Sequence, residues 1–244
     1  MSSCSTAGAD HASRLMWTEG DVGVFGPQGW PVVLSDPGSG VLLRPYHRTD
    51  ALAWSRTRCA NEEWLSVWEP TPPRGSWAEL NSPAAFRVVF RELRRIARAG
   101  TAMPFAVCLR SADGGERLVG QVTLGNIVRR AFCSAYAGYW VDARVAGRGV
   151  IPTALALAVD HAFSAGGLHR VEVNIRPENT ASRRVVEKLG FREEAYHARY
   201  LHIDGAWRDH VGYALTTEDV AAEGGLMARW HRLRGIGRVT PERA

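Results

Sequence analysis

From residue 30 onward, short stretches of alternating apolar and polar residues are interrupted by segments with apolar residues three and four apart. Residues 30–34 and 41–45 flank the turn-forming run 36–40, which predicts two short strands joined by a turn. Residues 50–68 and 82–99 have helical spacing, and the Pro- and Gly-containing run 71–75 reads as a rigid loop between them. Strands are expected at 105–109 and 118–127 around the hairpin dipeptide Asp113 and Gly114, and again at 134–141. A helix-forming run, 154–163, follows. Then Val171, Val173 and Ile175 alternate with Glu172, Asn174 and Arg176, so that strand has one apolar and one polar face. Residues 179–189 predict a helix stopped by Gly190, and Asp204 with Gly205 joins two last strands at 196–203 and 207–215. After Thr216 an acidic helix start leads into a basic amphipathic stretch at 227–234. Residues 1–30 lack sustained periodicity and read as a poorly ordered extension.

A chain of 244 residues can bury one sizeable core with appended ends. The expected division is an N-terminal extension at 1–30, one domain at 31–216, and a C-terminal helix with a basic tail at 217–244. Apolar content of 45% and charged content of 23% are ordinary for a soluble globular protein. The net charge of +5 suits an anionic cofactor or an acidic or ribonucleoprotein partner, and direct nucleic-acid binding is not indicated. Cys4, Cys59, Cys108 and Cys133 form neither a Cys-x-x-Cys pair nor a Cys/His cluster, so no disulfide framework and no metal site is expected. No apolar run reaches the length of a membrane span, and the expected location is cytoplasmic.

The chemistry concentrates after the strand at 134–141, where Arg144, Gly147, Arg148 and Gly149 precede a helix. A strand that feeds a glycine-rich turn and then a helix leaves main-chain N–H groups unpaired, with the positive end of the helix dipole behind them. Such a place binds phosphate. The spacing is not that of a Gly-x-x-x-x-Gly-Lys loop or of a Gly-x-Gly-x-x-Gly turn.

Arg-x-x-Gly-x-Gly resembles the pyrophosphate loop of the GNAT N-acetyltransferases, and two further segments agree with it in order and spacing: 139–142 before it and 176–191 after it. Leu42 to Pro45, Trp68 to Pro70, Gly120 with Gln121, Gly138 to Trp140, and the stretch from Tyr200 to His210 extend the likeness to the RimJ/RimL type, the N-terminal acetyltransferases of ribosomal proteins. The resemblance implies an α+β GNAT fold, a central mixed and mostly antiparallel sheet flanked by helices on both faces. It implies acetyl-CoA as cofactor and a sheet splayed between the strands at 134–141 and 170–176. Trp140 and Val141 would meet the acetyl and pantetheine portions, and the main chain of Ala146, Gly147, Arg148, Gly149, Val150 and Ile151 would cradle the diphosphate, with Arg144 adding charge. Asn179 would contact the cofactor arm.

Many GNAT enzymes carry a proton-donating tyrosine where this chain has Val186, which leaves Ser182 as the expected donor to the leaving thiolate. The glutamates that related enzymes use as base are replaced here by Asn174 and Arg199. Glu172 and Glu69 remain as candidate bases, each balanced by a plainer role: an ion pair with Arg170 or Arg176 for Glu172, a solvated or capping carboxylate for Glu69. His161 and His169 read as surface and turn residues, and His210 as a core or cleft histidine. Deprotonating an α-amine at neutral pH costs about 1 kcal/mol against more than about 4 for a lysine side chain, which favours an N-terminal acceptor where no strong base is evident. The expected function is acetyl transfer to the N-terminal α-amine of a protein such as a ribosomal protein. A small-amine acetyltransferase acting on an antibiotic or polyamine, and a non-catalytic acyl-CoA-binding module, are the alternatives.

Overall fold

The computed structural model describes residues 29–72, 74–111 and 114–235. The expected N-terminal extension, apart from Gly29 and Trp30, lies outside them, as do Asp113 and the end of the basic tail. In chain order the elements are β1 (Leu34–Asp36), β2 (Val41–Pro45), α1 (Ala51–Cys59), α2 (Glu62–Leu65), α3 (Trp77–Leu80), α4 (Pro83–Arg98), β3 (Met103–Arg110), β4 (Glu116–Val128), β5 (Ser134–Val141), α5 (Val150–Phe163), β6 (Arg170–Ile175), α6 (Thr180–Leu189), β7 (Arg192–Ile203), β8 (Ala206–Thr216), α7 (Thr217–Ala221) and α8 (Leu226–Leu233). The eight strands form one sheet in the order β1-β2-β3-β4-β5-β6-β8-β7. Every pairing is antiparallel except β5 with β6. This is the expected mixed α+β arrangement.

Both faces of the central strands are buried because their side chains alternate between two helical layers. Val41, Leu43, Phe105, Val107 and Leu124 face α5 and α8 in the larger core, where small residues such as Ala154, Ala156 and Ala158 let α5 approach the sheet. Leu42, Ala106, Cys108 and Leu118 face Trp54 of α1 with Phe86 and Phe90 of α4 in the smaller one. Helix α4 starts where Ser82 Oγ accepts the Ala85 N–H (3.1 Å) and Pro83 occupies the first turn, a position where its missing N–H costs no bond.

Two differences from the sequence pattern have local causes. The strand expected at 30–34 is shifted to Leu34–Asp36, because Trp30 instead packs edge-on against Phe105 with ring centroids 4.8 Å apart. The helix expected over 50–68 breaks after Cys59: Asn61 is 4% exposed, and its side chain ties the chain to the Asp142 segment.

At the C-terminal end, α8 joins the main core. Leu226 and Trp230 belong to the buried cluster, Trp230 Nε1 donates to Thr153 Oγ1 (2.8 Å), and Asp160 of α5 accepts the Leu226 and Met227 N–H groups (2.7 and 2.8 Å). Packing is therefore continuous across residue 216. Trp230→Ala should destabilise the fold by about 3–5 kcal/mol, while Trp230→Phe, which keeps an aromatic ring and loses the N–H, should cost about 1–2 kcal/mol. Urea unfolding of both variants measures this, and a near-neutral Trp230→Ala would show that α8 is an appendage.

Candidate functional site

Strands β5 and β6 pair only through Ser134 with Arg170, Ala135 with Val171 and Tyr136 with Glu172. Beyond these the strands part, although β5 stays paired to β4 as far as Val141 and β6 to β8 as far as Ile175. The facing edges of 137–141 and 173–175 thus carry main-chain groups turned toward a gap rather than toward each other. A cleft of about 440 Å³ opens there, bounded by Tyr139 and Trp140 on one side, Asn174 and Ser182 on another, and Glu69 and His210 above.

The β5 wall is held by close backbone packing. A Cβ on Gly120 would fall well inside contact distance of the Trp140 carbonyl oxygen, so glycine is required opposite that residue. Trp64 Nε1 donates to the Val141 carbonyl (3.0 Å). The next residue, Asp142, has a fully buried carboxylate. Burial pushes its pKa up, but hydrogen bonds from Arg144, through both main and side chain, and from Asn61 outweigh that and hold it below the ordinary value. Asn61 Nδ2 donates to Asp142 Oδ1 (3.2 Å), and the Ala143 N–H donates to Asn61 Oδ1 (2.8 Å).

The glycine turn follows. Gly147 and Gly149 have φ of +76° and +80°, in the left-handed region. A Cβ at Gly147 would project into open space, whereas one at Gly149 would lie 3.3 Å from Trp230 Cζ2. The N–H groups of Gly147 and Gly149 have no main-chain acceptor among the described residues, and the first turn of the fourteen-residue α5 leaves those of Val150 and Ile151 unbonded within the helix. Arg148 is exposed beside them. The arrangement fits a diphosphate. Arg144, expected to add charge here, is instead held by Asp142, with Nη2 2.7 Å from Oδ2.

Across the gap, Asn179 Oδ1 accepts the Ser182 N–H (3.0 Å) and so caps α6. The Ser182 hydroxyl donates to the Tyr139 hydroxyl (2.8 Å), and Tyr139 donates to the Ser182 carbonyl (3.3 Å). Burial raises the Tyr139 pKa well above its usual range, with the Ser182 hydrogen bond opposing it, so the phenol stays protonated. The hydroxyl of Ser182 is thereby fixed in the first turn of a ten-residue helix, where developing negative charge is favoured. Tyr139 belongs to the 139–142 segment, but nothing local in the sequence assigns it a role, because its partner is 43 residues away.

The two candidate carboxylates separate. Glu69 lines the cleft and is held by Arg58 Nη1 at 2.8 Å; that guanidinium sits among the rings of Trp54, Trp77 and Trp140, 4.9–5.6 Å from their centroids. Glu172 is not among the cleft-lining residues. It sits where β5 and β6 are still paired, and Arg170 Nε donates to it at 2.7 Å, so of its two expected roles the structure shows the ion pair with Arg170 and not a base at the cleft. Asn174 does line the cleft, and its Oδ1 is a buried acceptor without a hydrogen-bond partner among the described residues.

His210 is the residue whose role the sequence did not assign. It is 4% exposed, and its Nδ1 lies 3.1 Å from the Arg208 carbonyl. A carbonyl can only accept, so Nδ1 carries the hydrogen and Nε2 keeps its lone pair. Burial, chiefly, with the nearby charges of Arg176 and His197, pulls the pKa below 6.5, and the Arg208 hydrogen bond and Glu178 oppose this. The imidazole is therefore neutral at pH 7 and able to accept a proton beside the cleft.

The segment above the cleft is tied down on two sides. The Thr71 N–H donates to the His202 carbonyl (3.0 Å), and Arg176 donates to the Val67 carbonyl (2.7 Å) while lying over the Trp68 ring. Among the described residues no cluster of metal-ligating side chains occurs, and no helix is long and apolar enough to cross a membrane.

Residues 41–192 match the family described as Acetyltransferase (GNAT) domain. The Escherichia coli ribosomal protein uS5-alanine N-acetyltransferase is 31% identical over 180 residues, 73% of this chain and 89% of that protein. Among solved structures, Mycobacterium smegmatis RimJ in complex with CoA-disulfide superposes with a TM-score of 0.79 at 40% identity, covering 86% of this chain and 97% of that one. The ribosomal-protein-S5-alanine acetyltransferase of Vibrio fischeri superposes with a TM-score of 0.67 at 26% identity, covering 77% and 98%.

A histidine with a lowered folded pKa makes stability depend on pH. Between the two pKa values the unfolded chain binds the proton, so the contribution is complete above the unfolded value of about 6.5 and is lost as pH falls through the lower folded value. Urea midpoints over this range should fall more steeply for the protein than for His210→Gln. Long-range nitrogen–proton NMR should find the ring hydrogen on Nδ1; an Nε2–H tautomer would contradict the arrangement.

Proposed function

The chain belongs to the GNAT acetyltransferase family, and on that premise we propose that it acetylates the N-terminal α-amine of a ribosomal protein, using acetyl-CoA. The observation that carries the reading is the gap between β5 and β6, with the Ser182 and Tyr139 pair on its walls and His210 and Asn174 among the residues that line it. Acetyl-CoA supplies a thioester acetyl group and a thiolate leaving group.

The residues then divide the work. The main chain of Gly147, Arg148, Gly149, Val150 and Ile151 binds the diphosphate, and Asn179 keeps the first turn of α6 formed. The Ser182 hydroxyl lies near the positive end of α6 with its one hydrogen on Tyr139, and rotation about the Cβ–Oγ bond turns that hydrogen to the gap. His210 accepts a proton at Nε2. Glu69 orders the segment over the amine, through Arg58. A neutral imidazole suffices for an α-amine, whose deprotonation at neutral pH costs only about 1 kcal/mol.

Among the described cleft-lining residues Glu69 is the single carboxylate, and Arg58 is bound to it. A polycationic acceptor such as a polyamine or aminoglycoside would meet little compensating charge there, which favours the peptide acceptor. The names of the Escherichia coli and Vibrio relatives point to the same class of substrate.

Mass spectrometry of peptides that carry both a free N-terminus and an internal lysine tests the reading. Acetylation is expected on the terminal amine, with small N-terminal residues such as Ser, Thr or Ala preferred. Modification mainly on lysine, or turnover of small amines without peptide turnover, would sink it.

Ser182→Ala should lower kcat about 10- to 100-fold with little change in the KM for acetyl-CoA, since a donor to the leaving group acts in the transition state. Tyr139→Phe should have a smaller effect of the same kind, and a larger one would make Tyr139 the donor. Gly147→Glu should abolish acetyl-CoA binding in calorimetry while circular dichroism stays native, because its carboxylate would occupy the space kept for the diphosphate.

A further inference from the structure

We propose that the outer face of α4 is a docking surface for the phosphate backbone of RNA, a role that rests on the ribosomal-acceptor reading and extends it. The helix is two-faced. Phe86, Phe90 and Ala97 are buried inward, while Arg87, Arg91, Arg94, Arg95 and Arg98 are exposed on the flank beside them. Positions 87, 91, 94, 95 and 98 follow the three-and-four spacing of one helix stripe, about 17 Å long at 1.5 Å per residue. Exposed Arg48 joins them across a groove of about 610 Å³.

The clustering of arginines without ion pairs distinguishes this stripe; Arg56, Arg74, Arg130 and Arg148 also have none among the described residues but lie elsewhere in the fold. The sequence holds 25 acidic residues, and many arginines elsewhere are bound to one of them, including Arg44, Arg58, Arg144, Arg170, Arg192 and Arg229. On the stripe Arg95 alone has a carboxylate, Glu92 at 2.6 Å. Arg48, Arg87, Arg91, Arg94 and Arg98 make no ion pair among the described residues, and Arg94 is steadied over the Phe90 ring at 5.5 Å. Like charges at such spacing repel one another along a helix. An anionic polymer relieves that repulsion, and guanidinium groups bind phosphate in a two-point fork.

The partner chemistry follows from what surrounds the charges. A membrane-surface helix inserts an apolar face, but the aromatic face of α4 is already spent in the core against Trp54 and Tyr46. The named acceptors of relatives are ribosomal proteins, which reside on RNA. The net charge of +5 did not point to nucleic acid; the concentration of unpaired arginines on one helix face does.

The test measures fluorescence anisotropy of a labelled single-stranded oligouridylate with the whole protein across a series of KCl concentrations. Binding is expected to weaken steeply with salt. The variant R87Q/R91Q/R98Q should lose about tenfold or more in affinity, and its logarithmic salt slope should drop by about 2, the value for three phosphate contacts on a single strand. The variant R56Q/R74Q/R130Q removes the same charge from exposed sites elsewhere and should bind nearly as the parent does. Glutamine keeps good helix propensity, and matching thermal melts would confirm that α4 is intact.

Acetylation of a free peptide should be unchanged in R87Q/R91Q/R98Q. Equal losses in the two triple variants, unaltered binding in the stripe variant, or binding to phosphatidylserine vesicles without binding to RNA would each overturn the proposal. Peptide acetylation without RNA binding would remove the docking surface and leave the functional reading standing. RNA binding without any N-terminal acetylation would do the reverse.

Discussion

The parting of β5 from β6 after three residue pairs is the constraint on which the rest depends. A sheet interior normally satisfies every N–H and C=O through its neighbours, so an opening within it must be held by bonds made elsewhere. On the β5 side, continued pairing with β4, the close approach of Gly120, and the Trp64 bond to Val141 do this. On the β6 side, β8 runs alongside to Ile175. The buried Asp142 carboxylate then fixes where the chain leaves β5, because Asn61 and Arg144 converge on it. A cleft with polar main-chain edges is thus built into a rigid sheet, and reacting groups gain orientation without a loop having to close.

Much of this was legible in the sequence where local rules apply. The strand at 134–141, the helix opening at Asn179 and its stop at Gly190 follow from alternation, helical spacing and left-handed glycine, and the structure has each of them at the expected residues. The glycine turn was legible because Gly147 and Gly149 both need positive φ. What failed depended on which strands lie side by side. Glu172 and Asn174 share a strand face in the sequence pattern, yet only Asn174 reaches the cleft, because pairing with β5 ends between them.

The Tyr139 contact to Ser182 spans 43 residues, and the neutrality of His210 depends on burial by segments distant in sequence. No periodicity encodes either. The break at Asn61 is of the same kind, a polar side chain diverted from a helix to a partner 81 residues on. The arginines of α4 stand in the sequence at helical spacing, but that among the described residues only Arg95 of them meets a carboxylate is a property of the fold.

The contact of α8 with the glycine turn has a consequence for how the molecule is made. Trp230 lies under Gly149 and bonds to Thr153, 77 residues earlier in the chain. During synthesis the turn and α5 emerge well before the helix that supports them, and the larger core lacks Leu226 and Trp230 until translation has passed α8. A nascent chain stalled before that point keeps the apolar flank of α5 uncovered. Maturation of the ligand site is thereby timed to the synthesis of α8 rather than to the appearance of the residues that form it.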